Sequence, residues 1–221
     1  MTRKTFKIVL VFLLLASELL AQQTSNKAKT APLLFQMLEE YHYKPPIRNS
    51  ILSNHIFDRL MKTIDPYGLF FTEATIVSLK PYRDSLCTDN PALVSGFVNL
   101  LTEKYRKRLG FADSIVDRCF LSPLNFSKID SIILEPGDAV RISKDDSSLK
   151  ERWEKWIKHG MLKSLTFSGN DSILSDTQIT DSLLNSGSSI AKKSKIREKR
   201  WLSQLLHCPA GIENFVMNSY L

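Results

Sequence analysis

Apolar residues recur every three to four positions along most of the chain, the spacing of one face of an α-helix. The first such stretch begins after Pro32 and is stopped by Pro45 and Pro46, because proline cannot continue a helix. The second follows Asn49 and Ser50, either of which can cap a helix. The apolar positions of these two predicted helices are Leu33, Leu34, Met37, Leu38 and Tyr41, and then Ile51, Leu52, Ile56, Phe57, Leu60, Met61 and Ile64.

A turn and a short apolar link follow the second predicted helix. Residues 65–68, DPYG, favour a turn, because proline and glycine set the backbone there. Residues 69–71, LFF, form an apolar link that could be extended. Thr72 is a suitable N-cap for a third helix, and Pro81 should kink or interrupt it.

Two longer helices with a loop-rich segment between them are predicted for the middle of the chain. The first covers about 90–120 and starts with a capping asparagine followed by proline, a residue favoured at the first helical position. Residues 121–146 look irregular, and 124–134 alternates weakly enough to include a strand. The aspartates and serine at 145–147 can cap the second long helix, 149–167.

The last part of the chain alternates between a polar loop and helices. Residues 168–189 are rich in serine, asparagine and aspartate, and 177–184 could form a short helix within them. A strongly basic helix is predicted at 190–207 and an amphipathic one from 210 to 221. The chain stops within that last pattern, so we expect a truncation inside an element. The predicted fold is mainly α: an irregular multi-helix domain with a loop-rich middle segment.

The N-terminus has the pattern of an export signal. A basic start at Met1–Lys7 precedes the apolar run Ile8–Leu15, and the small residue Ala21 offers a cleavage position. The run is shorter than the roughly 20 apolar residues that span a bilayer. Leu19 fits the cleavage pattern poorly, so an uncleaved anchor stays an alternative. The predicted divisions are a signal peptide (1–21), a flexible linker (22–30), a helical domain (31–209) and the start of a further helix (210–221).

The charge balance is basic, but export changes its meaning. The 30 Lys and Arg residues against 23 Asp and Glu give a net charge of +7 and an isoelectric point near 9.3. Nucleic acid is not the expected partner outside the cytoplasm. We therefore expect the positive charge to serve solubility or contact with acidic surfaces. The densest basic run, Lys192–Arg200, is interpreted as a solvated helix face, with a patch for an anionic partner as the alternative.

Motifs for catalysis or cofactor binding are missing from the sequence. It contains no Gly-rich phosphate loop and no nucleophile elbow. Glu39-Glu40 and Asp145-Asp146 are interpreted as a solvated face and a helix cap. We therefore predict no catalytic residue, no cofactor-binding residue, no metal ligand and no cofactor. The four histidines, none of which has the spacing of a metal site, are His42, His55, His159 and His207.

Two further groups of residues leave alternatives open. Trp153 and Trp156 are expected to pack in the core, with a ligand shelf as the alternative. Cys87, Cys119 and Cys208 would meet an oxidising compartment after export. They are either buried free thiols or one disulfide with one thiol left over.

Six segments of the chain carry motifs of one known family. They are YHYKP from Tyr41, FDRLMKTIDP from Phe57, LFFT from Leu69, KPYRDSL from Lys80, FVNLLTEKYRKRL from Phe97 and WEKWIKHGMLK from Trp153. These segments resemble the N-terminal domain of tail-specific proteases, also called carboxy-terminal processing peptidases. The resemblance covers about residues 31–221 and is most specific between Tyr41 and Leu86.

The resemblance implies an exported enzyme with a helical N-terminal domain, a PDZ domain and a protease core. That core uses a serine nucleophile with a lysine base and cleaves proteins after recognising apolar C-termini. Glu213–Leu221 is similar to the helix that leads toward the PDZ domain. The chain contains neither the PDZ domain nor the serine and lysine segment, so the resemblance assigns no catalytic residue and we expect the chain alone to be inactive.

Two hypotheses for the function follow. The first is a non-catalytic helical N-terminal domain of an exported tail-specific serine protease, in the periplasm of a Gram-negative bacterium. Its implied partners are protein substrates, the missing PDZ and protease domains, and a helical-repeat adaptor protein; membrane contact would come only through an uncleaved signal. The alternative is a stand-alone periplasmic helical protein that binds substrates or an adaptor through the Lys192–Arg200 face or an apolar groove.

Overall fold

The computed structural model describes residues 29–122, 124–126, 130–134, 142–166 and 189–221. These residues form seven α-helices and one 3-10 helix, which confirms the predicted mainly α fold. The α-helices are α1 (Thr30–Tyr41), α2 (Ser50–Ile64), α3 (Glu73–Leu79), α4 (Pro91–Cys119), α5 (Asp146–Thr166), α6 (Ser189–Leu206) and α7 (Ile212–Tyr220), and the 3-10 helix is Lys80–Ser85.

The helices begin where the capping residues predict. The side-chain oxygens of Asn49, Asn90 and Asp145 each accept a hydrogen bond from a backbone N–H two or three residues further on, at 2.9, 3.0 and 2.8 Å. Each bond satisfies a donor that the first helical turn leaves without an intrahelical partner. Thr72 directly precedes α3, and Pro81 lies where the chain changes from α-helix to 3-10 helix. The predicted starts and the predicted interruption are therefore confirmed.

The loop-rich middle segment contains no strand among its described residues. Residues 124–126 and 130–134 are irregular, and one isolated parallel bridge joins Thr72 to Ser143. The possible strand in this segment is therefore not formed by the part that the structure describes. The predicted signal peptide, nearly all of the linker and the possible helix at 177–184 lie outside the described residues and stay predictions.

The chain divides into two compact units. The first unit consists of the chain up to Leu60 together with Leu79–Thr102 and Glu213–Leu221. The second unit consists of Met61–Ser78 and Glu103–Ile212. The division follows contacts in space, so each unit is built from separate stretches of sequence.

The core of the first unit contains the fully buried ring of Phe97. This ring contacts those of Phe57 and Tyr82, with centroids 6.2 and 5.5 Å away. The hydroxyl of Tyr220 donates a hydrogen bond of 2.7 Å to the buried backbone carbonyl of Leu86. This bond ties α7 to the end of the 3-10 helix, because a buried hydroxyl without a partner would be unfavourable.

The apolar face of α1 is exposed, although its periodicity predicts a helix correctly. Leu33, Met37 and Tyr41 keep 59%, 58% and 77% of their surface accessible. Glu39, expected on a solvated face, pairs at 2.5 Å with Arg48, which also pairs with Asp89. Surface ion pairs of this kind contribute little to stability.

The second unit has a core of large aromatic side chains. Trp153, Tyr105, Phe70 and Phe71 are all fully buried. The Phe70 ring meets Tyr105 edge-on at 5.4 Å and Trp153 at 6.1 Å between centroids. Edge-to-face contacts of this type add to the free energy gained from burial alone. The LFF link predicted from the sequence is therefore the middle of this core.

Asp65 organises the link between α2 and α3. Its buried carboxylate accepts hydrogen bonds from the backbone N–H groups of Leu69, Phe70 and Phe71 at 2.7, 2.9 and 2.8 Å. Gly68 allows the turn with a φ of 62°, a left-handed conformation that glycine adopts without steric cost. The predicted turn at 65–68 is confirmed, and it seats Phe70 and Phe71 in the core.

Candidate functional site

An apolar opening of the second unit lies between α5 and α6. It is a cavity of about 700 Å³. One wall consists of the rings of Tyr67, Trp156 and Trp201, with 4.9 Å between the first two centroids and 6.2 Å between the last two. A cavity of this size with an aromatic lining is typical of ligand-binding sites.

The two tryptophans of α5 have different roles. Trp153 is fully buried, and its indole N–H donates a hydrogen bond of 2.7 Å to the carbonyl of Leu69. Trp156, one helical turn later, is only half-buried and lines the cavity. The expected core packing is therefore confirmed for Trp153, whereas Trp156 lines a cavity and its alternative role as a ligand shelf stays a prediction.

A buried glutamate fixes the cavity wall. The Glu198 side chain is only 4% exposed, and its Oε2 accepts a hydrogen bond of 3.2 Å from the indole N–H of Trp156. Its Oε1 accepts from Nε and Nη2 of Arg197 at 2.8 and 2.7 Å. A buried carboxylate is costly unless it is paired and hydrogen-bonded, so these contacts hold both Trp156 and Arg197 in place.

Gly160 makes room for the Arg197 side chain. Nη1 of Arg197 donates to the carbonyl of Gly160 and to the hydroxyl of Ser164, each at 3.3 Å. A Cβ atom at position 160 would collide with the Arg197 guanidinium. The glycine is thus explained by the close approach of a side chain from α6 to the backbone of α5.

Replacing Gly160 by alanine should leave the free energy of unfolding about unchanged or lower it by up to about 1 kcal/mol, because the gain from the better helix former is offset by the hydrogen bonds that the displaced Arg197 guanidinium loses. Urea unfolding followed by circular dichroism measures this change. The control is Gly110→Ala in α4, where nothing lies within 4 Å of the new Cβ. That control should raise the free energy of unfolding by about 0.5–1 kcal/mol, since alanine is the better helix former. Equal gains for both variants would contradict the packing argument.

One face of the basic helix α6 pairs with aspartates of α4. Lys199 pairs with Asp113 and Asp117 at 2.8 and 2.6 Å, and Lys195 pairs with Asp117 at 3.1 Å. Burial opposes the charge of Lys199, but its hydrogen bonds to the two aspartates outweigh that effect and raise its pKa. This part of the basic run is therefore an ion-pair cluster and not a purely solvated face.

The other face of α6 presents cations beside the cavity. Lys193, Arg197 and Arg200 line a smaller depression of about 320 Å³, which shares Arg197 and Trp201 with the cavity. Lys193 and Arg200 are exposed. The cationic face matches the alternative prediction of an electrostatic patch and borders an aromatic wall.

Comparison with protein families decides the family. The family model described as "Tail specific protease N-terminal domain" matches residues 34–220. The chain belongs to this family. No curated protein and no solved structure shows a significant match to the chain. The resemblance seen in the six motif segments is therefore confirmed, while the predicted boundaries 31–209 and 210–221 stay predictions.

In this tail-specific protease N-terminal domain, the most specific motifs serve the fold. The segment that starts at Phe57 ends with Asp65 and Pro66, and the segment from Leu69 to Thr72 supplies the N–H groups that Asp65 binds. The family motif thus contains both halves of one buried hydrogen-bond network.

The histidines and cysteines of the domain do not converge. Among the described residues, no three His, Cys, Asp or Glu side chains are grouped so that they could hold a metal ion. His159 lines the cavity, while the other three histidines are exposed. The three cysteines are free thiols, and burial raises the pKa of Cys119 to about 11. A thiol with that pKa is a poor nucleophile at neutral pH.

None of the described helices is long and apolar enough to cross a membrane. The sequence patterns do not mark Tyr67, Gly160 or Glu198 as site residues. Two signals point to the last two of them: Glu198 is a single glutamate within a run of cations, and Gly160 is a glycine in the middle of α5. Both are exceptions to the local pattern, and a partner in another helix explains each of them.

Proposed function

We propose that the chain is the non-catalytic helical N-terminal domain of an exported tail-specific serine protease. Its role is to hold protein substrates for a catalytic core elsewhere in the same polypeptide. The family match over residues 34–220 carries this proposal. Export to the periplasm of a Gram-negative bacterium is supported by the basic start and apolar run at residues 1–21.

The lining of the cavity supports binding. The Ser164 hydroxyl donates a hydrogen bond of 2.8 Å to the carbonyl of Gly160 and accepts one from Arg197, so it helps to hold the cavity wall. The aromatic wall offers a large apolar contact surface to a ligand.

The size and the location of the native product test this proposal. We expect an immunoblot of source cells, with an antibody against residues 30–165, to show a band several times larger than 25.2 kDa in the periplasmic fraction. We also expect the purified 221-residue chain to leave a protein with an apolar C-terminus intact. A cytoplasmic band, or hydrolysis that copurifies with the chain, would contradict the proposal.

The second candidate is a stand-alone periplasmic binding protein. The favouring observation is that the described lining of the cavity belongs to the second unit alone. A native band slightly below 25.2 kDa in the same immunoblot would support this candidate against the first.

A further inference from the structure

The aromatic wall of the cavity is an exposed apolar surface of defined shape. Trp156 and Trp201 are half-buried, and both face the same cavity. The hydrogen bond from Trp156 to Glu198 holds the first ring, so the wall exists before any ligand binds. A preformed surface loses little conformational entropy on binding, which favours affinity.

The cavity and the depression that adjoins it together present positive charge to a ligand. Glu198 is the one acidic side chain among the described lining residues, and both of its oxygens are already bound by Arg197 and Trp156. The exposed cations Lys193 and Arg200 line the adjoining depression. A ligand of complementary charge therefore carries an anionic group next to its apolar part.

We propose that this cavity binds a peptide segment in which a bulky apolar side chain lies next to acidic residues. The apolar side chain packs against Trp156 and Trp201, and the neighbouring carboxylates pair with Lys193 and Arg200 in the adjoining depression. The volume of about 700 Å³ suits one large side chain with the adjoining backbone. The cavity is open to solvent, so it gives an acyl chain no enclosed apolar tunnel. The inference goes beyond the proposed function, because it assigns a ligand whether or not a catalytic core follows.

Fluorescence anisotropy with the full chain and three labelled peptides tests the ligand chemistry. The first peptide alternates glutamate with phenylalanine or leucine, the second replaces each glutamate by lysine, and the third replaces each apolar residue by serine. We expect the first to bind at least about tenfold more tightly than either of the others, since each control removes one of the two complementary features. Equal binding of all three peptides, or no binding of the first at millimolar concentration, would overturn the proposal.

A pair of charge reversals on α6 locates the site. Arg200→Glu should weaken binding of the first peptide about tenfold, because it places a repelling charge in the depression that adjoins the cavity. Lys192→Glu is the matched control: it makes the same change in an exposed residue of the same helix that lines neither depression. Equal weakening by both variants would mean attraction to the overall charge and would overturn the site.

Removing an aromatic ring tests the wall. Trp156→Ala should weaken binding of the first peptide more than Arg200→Glu does. Circular dichroism must show that the helices of this variant remain. Should this variant unfold, the comparison of Arg200→Glu with Lys192→Glu still tests the site.

A single-stranded oligonucleotide is the competing class of ligand. Tighter binding of the oligonucleotide than of the peptide, with the same loss in Arg200→Glu, would assign the face to nucleic acid and overturn the proposal.

Discussion

Asp65→Ala should lower the free energy of unfolding by about 4 kcal/mol, because a buried N–H group that loses its acceptor costs about 1–3 kcal/mol. The carboxylate of Asp65 accepts from three such groups, those of Leu69, Phe70 and Phe71. Burial raises the pKa of Asp65, and the three N–H donors and Arg152 oppose that rise. Urea unfolding at neutral pH, followed by circular dichroism and tryptophan fluorescence, measures the loss.

A matched aspartate separates this effect from a general effect of removing charge. Asp84 lies in the 3-10 helix and is exposed. Asp84→Ala should change the free energy of unfolding by no more than about 0.5 kcal/mol, as expected for a surface position. A similar loss in both variants would mean a general effect of removing charge. A loss below about 1 kcal/mol for Asp65→Ala would mean that water or a shifted backbone replaces the carboxylate.

The local signals in the sequence predict much of the helical fold. Asn49, Asn90 and Asp145 act as helix caps in the structure, because capping depends on groups only two or three residues away. Pro81 likewise changes the helix type through its own ring and its missing N–H. Such features need no knowledge of the rest of the chain.

The candidate site could not be predicted in the same way, because its parts come from three separate segments. Tyr67 follows α2, Trp156 lies on α5, and Glu198 and Trp201 lie on α6. Glu198 pairs with a residue 42 positions earlier, and nothing in the local pattern of α6 indicates that pairing. The sequence predicts the helices but not the faces that they turn towards each other.

The first helix shows a related limit of periodicity. Leu33, Met37 and Tyr41 recur at helical spacing and α1 forms, yet these side chains remain largely exposed. The hydrophobic pattern reports that a helix has an apolar side. It does not report which surface covers that side.

Trp153→Ala should lower the free energy of unfolding by about 3–5 kcal/mol, the usual cost of deleting a buried aromatic side chain. Trp153 is fully buried and contacts the rings of Phe70 and Trp201 at 6.1 and 6.0 Å between centroids. The cavity left behind cannot close easily, since its neighbours are themselves held, Phe70 by Asp65 through its backbone. Urea unfolding measures the loss, and Leu162→Ala on the same helix, at a side chain that is 43% exposed, should cost less than about 1 kcal/mol.

Trp153→Phe separates the hydrogen bond of this residue from its volume. Phenylalanine keeps most of the ring packing but removes the indole N–H that reaches the carbonyl of Leu69 at 2.7 Å. The loss should be about 2 kcal/mol, between those of Leu162→Ala and Trp153→Ala, because a buried carbonyl is left without its donor. The same carbonyl belongs to the link whose N–H groups bind Asp65, so the double variant Asp65→Ala with Trp153→Phe should lose less than the sum of the two single losses. Strict additivity would mean that the two bonds stabilise the link independently.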